Sequence, residues 1–264
     1  MRIGLRPLLA IAALASLMPA AALARVTPAD YRNAGVVVPP NAQLPLDATV
    51  RDSSGEQRSL REIISRTTVL IFADYKCRTL CGPVVAFVTS ALEHSGLRAG
   101  SDFRLLVVGL DPKNALADAS DLRQRHIDGG SPLFDASNFV IADQHTVETL
   151  TAALGYRFYY DAADATYIHP AAAYVLTADG HVSRVLTGLG LSSADMRLAL
   201  VEAGAGKIGT FHDQVRLLCS AFDPAHGTYN LEISRLLEFS AAVTIVLVGG
   251  GIGLLLLLER RRPA

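Results

Sequence analysis

From about Thr49 to Gly206 the chain alternates apolar runs with stretches of helical period. Thr67–Ala73 (TTVLIFA) and Phe103–Leu110 (FRLLVVGL) are apolar enough throughout to predict strands buried on both faces. Between them, Gly82–Ser95 sets Val85, Val88 and Leu92 at helical spacing. Asn114–Asp128 predicts a second helix, Phe139–Ala142 a short strand and Thr146–Gly155 a third helix. Ala172–Leu176 and His181–Leu186 flank Ala178-Asp179-Gly180, a hairpin signal. Ser192–Ala203 closes the series as a helix, with Ser192 in capping position and Asp195 three residues on. That length is enough for one α/β domain with its own core, and no internal repeat competes with it.

The two ends carry different patterns, and they set the compartment in which every cysteine is read. Arg2 and Arg6 precede an apolar run, Pro7–Ala22, and Ala22-Leu23-Ala24 has the small-x-small form of a signal-peptidase site. Met1–Ala24 therefore reads as a secretory signal, and Arg25–Ala48, with prolines and valines and no helical period, as an extended linker. Lys207–Glu238 forms a C-terminal extension. Phe239–Leu258 is uncharged and largely apolar, long enough at ~1.5 Å per residue to cross a hydrocarbon core as a transmembrane helix. Glu259–Ala264 follows as a tail whose Arg260, Arg261 and Arg262 favour the cytoplasmic side. The expectation is a single-pass inner-membrane protein with its main domain on the periplasmic side. Gly249 and Gly253 form a small-xxx-small pair that suits a homodimer. A formal charge of −1 offers no attractive field for nucleic acid.

Strand, helix, strand, helix, strand, helix, hairpin, helix is the order of a thioredoxin-like fold. At the junction of its first buried strand and helix stands Asp74-Tyr75-Lys76-Cys77-Arg78-Thr79-Leu80-Cys81-Gly82-Pro83. Thiols at i and i+4 face the same way if the segment turns helically, so they can share one ligand. Helix N-terminal amides, Lys76 and Arg78 favour thiolate, the form that attacks disulfides and binds soft metals. A structural disulfide is the plain alternative in an exported chain. Two cysteines alone do not separate a redox pair from a metal site, so a third partner matters. His169, in Tyr167-Ile168-His169-Pro170, directly precedes the late hairpin. In thioredoxin-like folds that loop faces the cysteine turn, and two thiolates with one imidazole make a compact soft site suited to Cu(I) and accepting of Cu(II).

With these residues the chain resembles the Sco/SenC family of copper chaperones for cytochrome c oxidase assembly, over roughly Leu46–Ala203. The shared pieces are the C-x3-C turn, Asp111-Pro112 after the next strand, and a late histidine followed by Tyr174 and Asp179-Gly180. The resemblance implies Cys77 and Cys81 as thiolate ligands, His169 as third ligand and Asp111 as a supporting acid, with copper as cargo and a respiratory oxidase subunit or other copper protein as recipient. Leu218-Cys219, Asp223-Pro224, Gly227 and Tyr229 resemble a membrane-anchored bacterial subgroup. Arg78 and Gly82 stand where the family commonly has prolines, and Pro170 occupies the loop where thioredoxin-like oxidoreductases place a cis proline. A thiol-disulfide reductase acting through a redox-active Cys77 and Cys81 on a partner's copper-ligand cysteines is therefore the alternative, and a redox or copper sensor a third. Cys219 has no partner evident in the sequence; His212 and His226 are its candidates for a second copper site.

Overall fold

The computed structural model describes residues 33–76, 81–162, 165–188, 191–205, 220–223, 228–231, 241, 244–248 and 250. Met1–Ala24, read above as a secretory signal, and Cys77, Arg78, His212, Cys219, His226, most of the apolar run 239–258 and the arginine tail lie outside them.

The strands are Gly35–Val36 (β1), Thr49–Arg51 (β2), Gln57–Ser59 (β3), Thr68–Ala73 (β4), Arg104–Gly109 (β5), Ser137–Val140 (β6), Tyr156–Arg157 (β7), Tyr159–Asp161 (β8), Thr166–Ile168 (β9), Ala172–Leu176 (β10), Val182–Thr187 (β11), Ser220–Asp223 (β12) and Thr228–Leu231 (β13). The helices are Leu60–Ile63 (α1), Cys81–Glu93 (α2), Leu116–His126 (α3), Pro132–Asp135 (α4), Gln144–Ala153 (α5) and Ser193–Ala203 (α6). All belong to the unit Ala34–Ala264.

The central sheet has the order β11-β10-β4-β5-β6. β4, β5 and β6 run parallel, while β10 is antiparallel to β4 and to β11. Successive side chains of a strand point to opposite faces, and both faces here are covered. Val69, Ile71, Leu105, Val107, Ala173 and Val175 pack with α2, α3 and α6 through Val85, Val88, Leu122, Met196 and Leu200. Leu70, Phe72, Leu106, Val108, Tyr174 and Leu176 pack on the other side with Leu60, Ile63, Val147, Leu150 and Tyr156. The double coverage is why these strands read as unbroken apolar runs.

The predicted order holds, with element ends shifted by a few residues; α5, for example, starts at Gln144 because the Asp143 carboxylate caps it through Thr146 N–H at 2.7 Å. One expectation is corrected. The segment 34–48 is extended, as its composition suggests, but it is core rather than linker. Ala34, Ala42, Leu44 and Leu46 are buried, β1 pairs with β7, and Leu44 N–H donates to Gly180 O at 2.9 Å. Ala42, Leu44 and Leu46 alternate with Gln43, Pro45 and Asp47, but the run is short and interrupted by prolines, so it does not stand out as a strand. The two short ribbons β2-β3 and β8-β9 also have no clear signal in the sequence.

Candidate metal centre

The cysteine segment leaves the carboxyl end of β4. Asp74, 5% exposed, accepts the Lys76 backbone N–H at 3.1 Å. Tyr75 is buried, and its hydroxyl lies 2.9 Å from Val107 O and 2.7 Å from Val140 O, tying the start of the segment to β5 and β6. That ring needs Gly109 beneath it: a Cβ there would stand 3.0 Å from Tyr75 Cε2. After the cysteine turn, Cys81 opens α2, with Pro83 in the first turn, where its missing N–H costs nothing. The electrostatic expectation at Lys76 is modified. Its ammonium pairs with Asp118 Oδ2 at 3.2 Å, and the same oxygen accepts Ala115 N–H at the start of α3, so this cation's pull on a neighbouring thiolate is partly offset.

His169 approaches from the neighbouring strand. Antiparallel pairing sets Ala173 opposite Ile71 and Tyr174 opposite Leu70, so the chain running into β10 passes the carboxyl end of β4. The histidine's Nδ1 lies 3.0 Å from the Tyr156 hydroxyl and 3.2 Å from Pro170 O, and the Tyr156 hydroxyl donates to Pro170 O at 3.0 Å. The β8-β9 ribbon delivers it. Phe158 and Tyr160 pack on Tyr167 with ring centroids 5.9 and 5.1 Å apart. Burial pushes the Tyr167 phenol up, and the Asp111 and Asp74 carboxylates push it further, which puts β9 within electrostatic reach of the ends of β4 and β5. Asp111 itself caps the turn behind it, accepting Lys113 N–H at 2.9 Å. The His169–Pro170 bond is trans, not the cis form expected of an oxidoreductase loop.

The chain thus brings the His169 loop, Asp74 and Asp111 to one end of the sheet, beside the cysteine segment. Among the described residues no group of three His, Cys, Asp or Glu could hold a metal ion. Cys77 lies outside those residues and Cys81 is described by its backbone alone, so the three-donor set is a matter of strand topology. His94 and His181 are held locally, by Ser90 O at 2.8 Å and by Asp179 at 3.1 Å. Sequence reasoning missed Tyr75 and Tyr156. The available signal was the density of aromatics around His169, with Tyr156, Phe158, Tyr159, Tyr160 and Tyr167 in twelve positions.

Comparison with solved structures bears on this arrangement. A provisionally named electron transfer protein from Aquifex aeolicus VF5 matches with a TM-score of 0.57 and 23% identity, over 66% of this chain and 98% of that one. A second such Aquifex aeolicus protein, provisionally assigned to electron transport, gives 0.53 and 21%, over 63% and 99%. A SCO1/SenC family lipoprotein from Bacillus anthracis str. Ames gives 0.52 and 13%, over 62% and 97%. The chain has the Sco/SenC fold. These likenesses span nearly the whole of each of the three structures and leave about a third of this chain outside them. No protein-family model matches the chain, and no curated protein matches its sequence.

Proposed function

We propose that the chain is a copper chaperone of the Sco/SenC type, using the Cys77 and Cys81 thiolates and the His169 imidazole to carry copper to a respiratory oxidase subunit or another copper protein, or to prepare its copper site. The observation that carries this reading is the antiparallel register of β10 on β4, which runs His169 past the strand end from which the cysteines emerge. Soft thiolates favour Cu(I), and a third, nitrogen donor makes room for Cu(II). A site with few donors at the open end of a sheet suits transfer, because an incoming thiolate of the recipient can replace one ligand at a time.

The domain is proposed to be membrane-anchored on the extracytoplasmic side. Supporting this, Ile245, Val246, Leu247 and Val248 are consecutive, helical and 55–71% exposed. Four consecutive helical residues point all round the axis, and an apolar helix that finds no protein cover suits lipid. Among the described residues no helix is long and apolar enough to cross a membrane.

The test is metal analysis with electron paramagnetic resonance on the full chain. Wild type should hold copper stoichiometrically and give a Cu(II) signal with sulfur and nitrogen ligation. His169→Ala should keep Cu(I) on the two thiolates and lose the Cu(II) form, while Pro170→Ala should change little. Equal Cu(II) binding by wild type and His169→Ala would remove the imidazole from the site and favour the reductase.

A further inference from the structure

We infer that the C-terminal ribbon β12-β13 is a further layer of the domain, seated by its apolar face on the outer side of α6, so that the domain stands close to its membrane anchor instead of hanging from a loose tether. The seating is independent of the copper reading. What it means for a recipient rests on the copper and anchor readings above.

α6 is buried all round. At 3.6 residues per turn Met196, Ala199, Leu200 and Ala203 share one side of the helix, and these four pack into the core of the sheet. Ala194, Leu198, Val201 and Ala205 fall on the opposite side. The flanks between the two sides are also fixed: the Arg197 guanidinium donates to Ser95 O, just past the end of α2, at 2.8 Å, and Arg184 of β11 pairs with Glu202. A helix that closes an outer layer ordinarily turns a polar side to water. Here Leu198 is 2% exposed and Val201 0%. Two aliphatic side chains buried on the side away from the sheet need a cover.

Beyond α2, β10 and β11, β13 lies against α6. The ribbon's register pairs Ser220 with Leu231 and Phe222 with Tyr229, alternating with Ala221 opposite Asn230 and Asp223 opposite Thr228. Alternate residues of a strand belong to opposite faces, so Phe222, Tyr229 and Leu231 share one face of the ribbon and Asp223, Thr228 and Asn230 the other. Two strands alone are marginal in water and need an apolar surface to rest on. Leu198 and Val201 offer one that is adjacent and dry.

The seating shortens the connection to the apolar run that begins at Phe239. Measured from the end of α6, residues 204–238 fully extended would span roughly 120 Å. From the end of β13, residues 232–238 span at most about 25 Å. The domain is therefore held beside the bilayer, which suits a recipient whose copper site lies near the membrane surface.

The test is amide hydrogen exchange on the full chain in lipid nanodiscs. In wild type the amides of 220–223 and 228–231 should exchange about 100-fold or more slowly than those of an unstructured chain. Phe222→Asp with Tyr229→Asp should abolish that protection and speed exchange in α6, while β4 and β5 keep theirs. An unprotected ribbon in wild type, or α6 exchange unchanged in the double variant, overturns the seating; the wild-type measurement decides even where the variant fails to fold. With a gadolinium-chelating lipid in the nanodisc, α6 amides should relax faster in wild type than in the double variant. No effect on α6 in wild type overturns the short tether. A chain that does not stay in the nanodisc overturns the anchor reading, and exchange then judges the seating by itself.

Discussion

The Tyr75 hydroxyl lies 2.7 Å from the carbonyl of Val140, a residue 65 positions further along the chain, and 2.9 Å from that of Val107. One phenol proton is thereby shared between the ends of two parallel strands, immediately before the cysteine turn. Burial pushes the phenol's pKa far up, so it stays protonated and a donor above the usual phenol range. Tyr75→Phe leaves both carbonyls short of this donor in a dry site, at an expected cost of about 1–3 kcal/mol. Urea denaturation should show the loss, and an unchanged midpoint would mean that the hydrogen bond anchors nothing.

A second prediction concerns pH. The Asp143 carboxylate accepts Thr146 N–H at the start of α5, which holds its pKa below the usual value. A carboxyl depressed in the folded state contributes stability above its unfolded pKa and loses it as pH falls through the folded value. Asp143→Ala should therefore be less stable than wild type at neutral pH, with the deficit shrinking as the medium is acidified below the usual carboxylate range. Asp143→Asn caps without a charge and should show little of this pH dependence. A deficit in Asp143→Ala that persists undiminished at low pH would assign the effect to something other than the charged cap.

The central sheet was legible because strands covered on both faces write themselves as unbroken apolar runs: TVLIFA in β4 and RLLVVG in β5 admit no polar face. The cysteine turn and His169 were legible as chemistry at a strand-to-helix junction and a loop before a hairpin. What held them was not. Tyr156 reads in sequence as one more core aromatic, and only the fold shows its hydroxyl between a ring nitrogen and a carbonyl. The segment 34–48 was hidden for a different reason. Leu44 and Leu46 join the core, but they stand either side of Pro45, and the rest of the segment is held by backbone pairing to β7 and to the Gly180 turn, which leaves no side-chain pattern. Lys76 shows the reverse case: its charge is plain in the sequence, but the Asp118 that offsets it is 42 positions away and is brought in by α3.

That hidden segment leads to the last prediction, which sets three glycines against one another. Gly155 has φ +64, and a Cβ on it would stand 1.8 Å from Val37 O and 3.0 Å from Pro39 Cδ. The same residue accepts Val37 N–H at 2.9 Å, so the N-terminal segment lies directly on it, one position before Tyr156. Gly188 has φ +94 with nothing within 4 Å of the added atom, and Gly129 has neither constraint. Gly129→Ala should leave stability within error of wild type. Gly188→Ala should lose about 1–2 kcal/mol for a left-handed non-glycine residue. Gly155→Ala must bear that cost and also push Val37 away, breaking the β1-β7 pair that pins Tyr156. It should be the least stable of the three in urea and expose the segment 34–39 to limited proteolysis. If Gly155→Ala is no worse than Gly188→Ala, the segment does not clamp the strand that carries Tyr156.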